Sequence, residues 1–206
     1  MHEELRKFGK KLVESGLVSS HFGNISIRVG RKMLISRSGA MLDELDETNV
    51  VEVDLEKPSS LDIIASSEAN VHRAIYKNTS ALAIIHTHSP FAVVMSLICD
   101  ARGERRIIPV DTEGSYFLHE IPLVHGGAGT EELAKNLAAA LKEHKAAIAV
   151  GHGAFCIGKI LEEAFVVASM VEHSCKVRYF YDAFPIPDDT TDNLYSCGIC
   201  KRSPPR

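Results

Sequence analysis

The chain has 206 residues, of which 45% are hydrophobic and 24% charged, and its formal net charge is −4. That length fits one domain with a sizeable core, and the composition is ordinary for a globular protein. Without a basic block there is little to hold nucleic acid or an anionic membrane; no apolar run nears the ~20 residues of a membrane span, and Met1 to Lys7 shows no apolar signal region, so a cytoplasmic location is expected.

Glu3 to Ser15 spaces Leu5, Phe8, Leu12 and Val13 at helical intervals, with Gly16 as a C-terminal stop. Ser19 to Asn24 reads as a loop running into an alternating strand that ends at Val29. Gly30-Arg31 turns the chain into a second strand, Met33 to Ser36, so the pair reads as a hairpin. Ser36-Arg37-Ser38-Gly39 ends that strand with a loop rich in small residues. Val50 to Leu55 is a further strand, followed by a turn at Pro58-Ser59-Ser60. Ser66-Ser67-Glu68 precedes a helix from Ala69 to Lys77, with Ser66 or Ser67 as its N-cap. Hydroxyls and exposed backbone N–H groups at a helix N-terminus make a ready anion site, although plain capping is the commoner meaning of such a triplet.

Ala81 to Ile85 is a continuous apolar run and reads as a buried strand. It continues into His86-Thr87-His88-Ser89-Pro90. Residues i and i+2 of a strand share a face, so His86 and His88 are expected to project side by side. Pro90 can open the following helix, Phe91 to Leu97. Two imidazoles on one side of a rigid element offer two legs of a metal site; taken alone, they could equally be ordinary polar strand-end residues.

Ile107 to Val110 and Ile121 to Val124 read as strands, with Asp111 to Glu120 between them. Gly126-Gly127-Ala128-Gly129 is a loop. Thr130 caps a helix running to about Leu141, with Glu131 and Glu132 in its first turn. Ala146 to Val150 is a short buried strand ending at Gly151-His152-Gly153, and Ala154 to Ile157 resumes the apolar pattern. Glycine on both sides of one histidine lets backbone approach closely around that imidazole, which a merely structural histidine rarely requires. The last helix runs from about Leu161 to Tyr181 and is broken by Pro185, Pro187 and Asp188-Asp189.

The chain therefore divides into a single domain, 1–184, and a tail, 185–206, expected to be poorly ordered. Cys99, Cys156 and Cys175 sit in apolar contexts and read as reduced core residues. Cys197-x-x-Cys200 lacks a second pair and falls in the tail, so it reads as incidental. Strands dominate the middle, with helices at both ends and between, which makes an α/β layered domain with a mixed or largely antiparallel sheet.

His86, His88 and His152 are three imidazoles at strand ends, and Glu68 is a carboxylate at the start of a helix. Three protein ligands with an open position describe a catalytic metal site, whereas structural zinc usually has four, often cysteine. Asn24, Ser38, Gly39, Ser66 and Ser67 come from three separate loops; brought together they would form a lysine-free phosphate cradle of backbone and hydroxyl groups. His72, His119, His125, His144 and His173 fit structural or solvated roles.

Gly23-Asn24-Ile25-Ser26, Ser38-Gly39, Ser66-Ser67-Glu68, His86-Thr87-His88-Ser89-Pro90 and Gly151-His152-Gly153 occur in the order and rough spacing of the class II aldolase / fuculose-phosphate aldolase family. The chain resembles that family from about Glu3 to Tyr181. The adducin head domain, ribulose-phosphate 4-epimerases and methylthioribulose-phosphate dehydratases also belong to it. The resemblance implies an α/β/α sandwich around a central, mainly antiparallel sheet, and a cyclic homotetramer with active sites between subunits. It further implies a divalent metal, usually zinc, held by His86, His88 and His152. Glu68 would be the acid/base group, able to ligate the metal when substrate is absent. Asn24, Ser38, Gly39, Ser66 and Ser67 would hold the substrate phosphate.

The activity implied is metal-dependent cleavage of a ketose 1-phosphate, such as L-fuculose 1-phosphate, to dihydroxyacetone phosphate and an aldehyde through a metal-stabilised enediolate. An epimerase would use the same enediolate, but epimerases of the family tend to carry Asp after the Ser-Ser pair, so Glu68 favours the aldolase. A dehydratase stays open. A metal-free scaffold like the adducin head would have lost ligands that this chain retains. Three positions depart from the family pattern. His21 stands where a small hydroxyl residue is more common, and Arg37 where proline is frequent. Ile107 to Glu113 lacks the tyrosine that fuculose-phosphate aldolases use for proton handling, with Asp111, Thr112 and Glu113 there instead and Tyr116 out of register. The aldehyde specificity is therefore open.

Overall fold

The computed structural model describes residues 1–57 and 59–184. The tail at 185–206, Cys197 and Cys200 within it, and Pro58 of the expected turn lie outside the described residues. Among the described residues there are eight strands: β1 (Asn24–Val29), β2 (Lys32–Ser36), β3 (Val50–Asp54), β4 (Ala83–Thr87), β5 (Arg106–Ile107), β6 (Ile121–Val124), β7 (Ala146–Ala149) and β8 (Gly153–Gly158). The helices are α1 (His2–Glu14), α2 (Ala69–Asn78), α3 (Pro90–Ala101), α4 (Thr112–Phe117), α5 (Glu131–Ala140) and α6 (Leu161–Ala183). The strands form one sheet in the order β3-β2-β1-β4-β8-β7-β6-β5. Neighbours pair antiparallel except β6 with β7.

Two apolar clusters sandwich this sheet. One gathers Leu5, Phe8 and Leu12 of α1, Ala92, Met95 and Cys99 of α3, and Leu161, Val167 and Val171 of α6. The other gathers Val71, Ile75 and Tyr76 of α2 with Leu133, Ala134 and Leu137 of α5. Strand β4 serves both, because Ala83 and Ile85 belong to the first cluster and Ile84 to the second. A strand covered on both faces needs an uninterrupted apolar run, and that is what Ala81 to Ile85 supplies. The three-layer α/β/α arrangement with a mainly antiparallel sheet is thus the fold expected from the sequence.

Two local expectations differ. The strand expected over Ile107 to Val110 is only the two residues of β5. Pro109 follows closely and has no N–H to give to a ladder. Between β5 and β6 the chain forms α4, whose N-cap Asp111 accepts from Gly114 N at 2.8 Å. Six residues are too few for a helical stripe to stand out in sequence. Helix α3 also continues past Leu97 to Ala101 and ends where Gly103 takes φ +74°.

Cys99, Cys156 and Cys175 are buried and unbridged, and burial raises all three thiols, Cys99 to about 12. No described helix is long and apolar enough to cross a membrane.

Candidate active site

The register of the central strands decides what meets what. Asn24 of β1 lies opposite His86 of β4, His86 lies opposite Phe155 of β8, and Thr87 lies opposite Ala154. Strand β4 therefore delivers His86 at its end and His88 just beyond it. The turn from β7 into β8 delivers His152 to the same spot. The three imidazoles form a near-equilateral triangle, with ring centroids 4.7, 4.8 and 4.8 Å apart. One ligand atom from each lies within 4.8 Å of the others, a group that could hold a metal ion.

Each ring is held differently. His86 is fully buried; its Nδ1 sits 3.0 Å from the carbonyl oxygen of Ala154, and its ring stacks on Phe155 at 4.0 Å and 16°. The carbonyl can only accept, so Nδ1 carries the proton and the Nε2 lone pair faces the cluster. His88 stacks against Phe22 at 5.7 Å and 21°, and its ring makes no hydrogen bond to another described residue. His152 stands between two glycines that matter for different reasons. Gly151 takes φ +70°, a conformation other residues rarely adopt. A Cβ on Gly153 would overlap the carbonyl oxygen of Thr87 and come 3.1 Å from His86 Cε1. Burial, and after it the neighbouring imidazoles, holds His86 well below the ordinary histidine range and His88 at about 4. Both are neutral and able to donate lone pairs, the form a metal needs.

Glu68 closes the cluster. Glu68, and not Ser66 or Ser67 as expected from the sequence, is the N-cap residue of α2, because Ser66 Oγ accepts from the N–H of Glu68 itself, one step before the helix; Glu68 is 3% exposed. Its Oε2 accepts from Asn24 Nδ2 at 3.1 Å and lies 3.1 Å from His86 Nε2. Its Oε1 lies 3.9 Å from His152 Nδ1 and has no hydrogen-bond partner among the described residues, nor has His152 Nδ1. Burial raises the carboxyl above its usual range, against the opposing pull of His152, the Asn24 amide and the Gly129 N–H. That last contact was not foreseen from the sequence. Gly129 takes φ +70°, a Cβ there would meet Ser67 O at 2.8 Å, and Asn70 Nδ2 donates to its carbonyl oxygen at 2.6 Å. The only sequence signal for this packing is the glycine run just before the Thr130 cap.

A divalent metal fits this donor set. His86 Nε2 stands 3.4 Å from His152 Nε2 and 3.1 Å from Glu68 Oε2. Lone pairs this close repel unless a proton or a cation lies among them. Buried polar atoms normally find partners, yet Glu68 Oε1 and His152 Nδ1, 3.9 Å apart beside this cluster, have none among the described residues.

The three small-residue loops also come together. Arg37 pairs with Ala65 as an isolated bridge, Ser38 N donates to Ile64 O at 3.1 Å, and Ser66 N donates to Ser36 O at 3.1 Å. Ser66 is buried, and its Oγ accepts from Glu68 N at 3.3 Å; Ser38, Gly39 and Ser67 are exposed. Asn24 joins them through Glu68, so its amide is engaged with the carboxylate while its Oδ1 is unpartnered. Of the departures, His21 and Arg37 are exposed, Asp111 caps α4, and Tyr116 is 72% exposed.

Comparison with known proteins agrees with this geometry. The family described as Class II Aldolase and Adducin N-terminal domain matches residues 3–179. An L-fuculose phosphate aldolase from Methanocaldococcus jannaschii is 31% identical over 179 residues, covering 83% of this chain and 91% of that protein. A 5-methylthioribulose-1-phosphate/5-deoxyribulose-1-phosphate aldolase from Rhodospirillum rubrum is 28% identical over 174 residues, covering 79% and 73%. The crystal structure of L-fuculose-1-phosphate aldolase from Thermus thermophilus superposes with a TM-score of 0.80 at 34% identity, covering 90% of this chain and 97% of that one. The chain belongs to the class II aldolase and adducin N-terminal domain family.

Proposed function

From that membership we propose that this protein is an aldolase that cleaves a ketose 1-phosphate, of the L-fuculose or 5-deoxyribulose 1-phosphate kind, to dihydroxyacetone phosphate and an aldehyde. The observation that carries the reading is the convergence of three imidazoles, one ligand atom from each within 4.8 Å of the others, beside a buried carboxylate whose Oε1 has no hydrogen-bond partner among the described residues. His86, His88 and His152 would hold a divalent metal, zinc by preference for imidazole ligands, and Glu68 could join them when substrate is absent. When bound, that metal supplies Lewis-acid polarisation of the substrate's oxygens.

The protein's own groups do the rest. Ser38, Gly39, Ser66 and Ser67 bind the phosphate at the N-terminus of α2, where hydroxyls, backbone N–H groups and the helix dipole favour an anion. Asn24 borders this cradle and holds Glu68 Oε2, which leaves Oε1 to move the proton. In the condensation direction, Oε1 takes a proton from the hydroxyl-bearing carbon of dihydroxyacetone phosphate; in cleavage it returns it. A carboxyl raised by burial suits a group that must both accept and release a proton near neutrality.

The working unit in this reading is residues 1–184 in a cytoplasmic homotetramer, with active sites near subunit contacts. Exposed Phe22, Tyr116 and Phe117 are apolar surface that a neighbouring subunit would cover.

The test is release of dihydroxyacetone phosphate from a panel of L-fuculose, L-rhamnulose, ribulose and 5-deoxyribulose 1-phosphates by zinc-loaded and chelator-treated protein. Metal-dependent release is expected, and the best substrate identifies the aldehyde. No release with about one metal per chain would turn the reading to an epimerase or dehydratase, and no release with no metal to a scaffold.

A further inference from the structure

The geometry points to Glu172 of α6 as a positioning residue for the ligand His88, an inference that rests on His88 holding the metal. Helix α3 begins two residues after His88, and its first turn is capped from another helix. Pro90 has no N–H, Phe91 N donates to Glu172 Oε1 at 3.0 Å, Ala92 N donates to Glu172 Oε2 at 2.9 Å, and Val93 N donates to Ser89 O at 3.1 Å. The two orphan N–H groups that follow Pro90 are thus both satisfied by one carboxylate 80 and 81 residues away in sequence. The residue in the N-cap position does not serve: Ser89 makes no side-chain capping bond, and its Oγ lies 3.0 Å from Thr87 Oγ1 and 3.1 Å from Leu17 O instead.

The consequence falls on His88. A ligand histidine is usually oriented by a hydrogen bond from its second ring nitrogen, and His86 has one to Ala154 O. The His88 ring has none among the described residues, so its place is set by its backbone and by the stack with Phe22. That backbone is fixed upstream by the pairing of Thr87 with Ala154 and downstream by the carboxylate of Glu172. The Phe91 ring, clasped by Tyr179 at 5.6 Å with Lys176 Nζ 5.5 Å from its centroid, holds the same junction against α6. Glu172 acts on the metal site through α3 and touches no reacting atom.

The experiment is a titration of chelated full-length protein with cobalt(II), followed by its visible spectrum, and with zinc by competition, in wild type, Glu172→Ala, Glu172→Gln and Glu163→Ala. Glu163 is the control, since its Oε2 accepts from Lys159 N at 2.7 Å at the other end of the β4–β8 pair. Glu172→Ala is expected to weaken metal binding by about 10–100-fold, the range for lost outer-shell support, and to change the cobalt band; Glu172→Gln, which keeps one acceptor, weakens it less. Glu163→Ala lowers the melting temperature and leaves metal affinity alone. Wild-type affinity and spectrum in Glu172→Ala, whatever its melting temperature, overturn the inference; should that variant not fold, Glu172→Gln decides by the same criterion. Wild type that binds no metal removes both this inference and the proposed function, whereas bound metal unaffected by Glu172 removes this inference alone.

Discussion

Glu68 Oε2 and His86 Nε2 stand 3.1 Å apart in the interior, while the other nitrogen of that imidazole is committed to Ala154 O. Both atoms present lone pairs, so only a proton or a cation can lie comfortably between them. The pair couples the acid/base group to the metal ligand through one short contact. It also explains why Asn24 spends its amide on the carboxylate: Nδ2 is the one donor that β1 can bring opposite His86.

Replacing Glu68 by Gln keeps the shape and removes the base. Activity is expected to fall by about 10²–10⁴-fold, the usual worth of general acid–base catalysis. The melting temperature should not fall, because a neutral isostere escapes the desolvation cost of a buried charge. Dihydroxyacetone phosphate release, read beside thermal unfolding, checks both; full turnover in Glu68→Gln would remove the assignment.

Metal should stabilise the fold by mass action. Free zinc at 100 times its dissociation constant adds about 2.7 kcal/mol, which for a domain of this size is about 5–10 °C in melting temperature. His152→Ala should abolish that shift by removing one corner of the triangle. Scans with and without zinc after chelation measure it, and an undiminished shift in His152→Ala would place the metal elsewhere.

Gly153→Ala should damage the site more than Gly151→Ala. At Gly153 the new methyl meets the Thr87 carbonyl, which is backbone and cannot rotate away, and crowds the His86 ring. At Gly151 it meets the Leu97 side chain at 3.2 Å, with the strain of φ +70° as the main cost. Overpacking costs about 1–3 kcal/mol, occasionally more, against about 1–2 kcal/mol for one residue forced into the left-handed region. The expected order, in both urea midpoint and zinc affinity, is wild type, then Gly151→Ala, then Gly153→Ala; the reverse order would contradict the steric account.

Stability should decline below about pH 6.5, in part because of His72, which takes no part in the metal cluster. It is fully buried, its Nδ1 is 2.7 Å from Ser26 Oγ, which in turn is 2.7 Å from Tyr76 Oη, and burial lowers its pKa from 6.5 to about 3. Its folded-state value lies below its unfolded one, so from pH 6.5 down to about 3 the unfolded chain binds the extra proton. Stability is full above that window and falls as pH drops through it, by up to about 1.4 kcal/mol per pH unit for one such group. His72→Asn leaves a polar group for Ser26 but nothing that titrates. The chelated variant should show a shallower fall in melting temperature between pH 6.5 and 4.5; identical slopes would rule out a contribution from His72.

Much of the site was legible because it is built from local rules. The two-residue period of a strand puts His86 and His88 on one side, the Ser-Ser-Glu triplet marks the start of α2, and paired glycines mark His152 as a residue that other backbone must approach. The continuous apolar run of β4 announced a strand buried on both faces. These features depend on neighbours in sequence, and the sequence by itself determined them. Tertiary structure alone decided which of these pieces meet. Asn24 reaches Glu68 across 44 residues and Phe91 reaches Glu172 across 81, through a strand order, β1-β4-β8, that no local periodicity encodes. The short α4, the seat of Gly129 on Ser67 and the cap that Glu172 places on α3 belong to the same class. Each is a contact whose free energy exists only once the sheet has brought distant segments together, so no window of the sequence carries its signal.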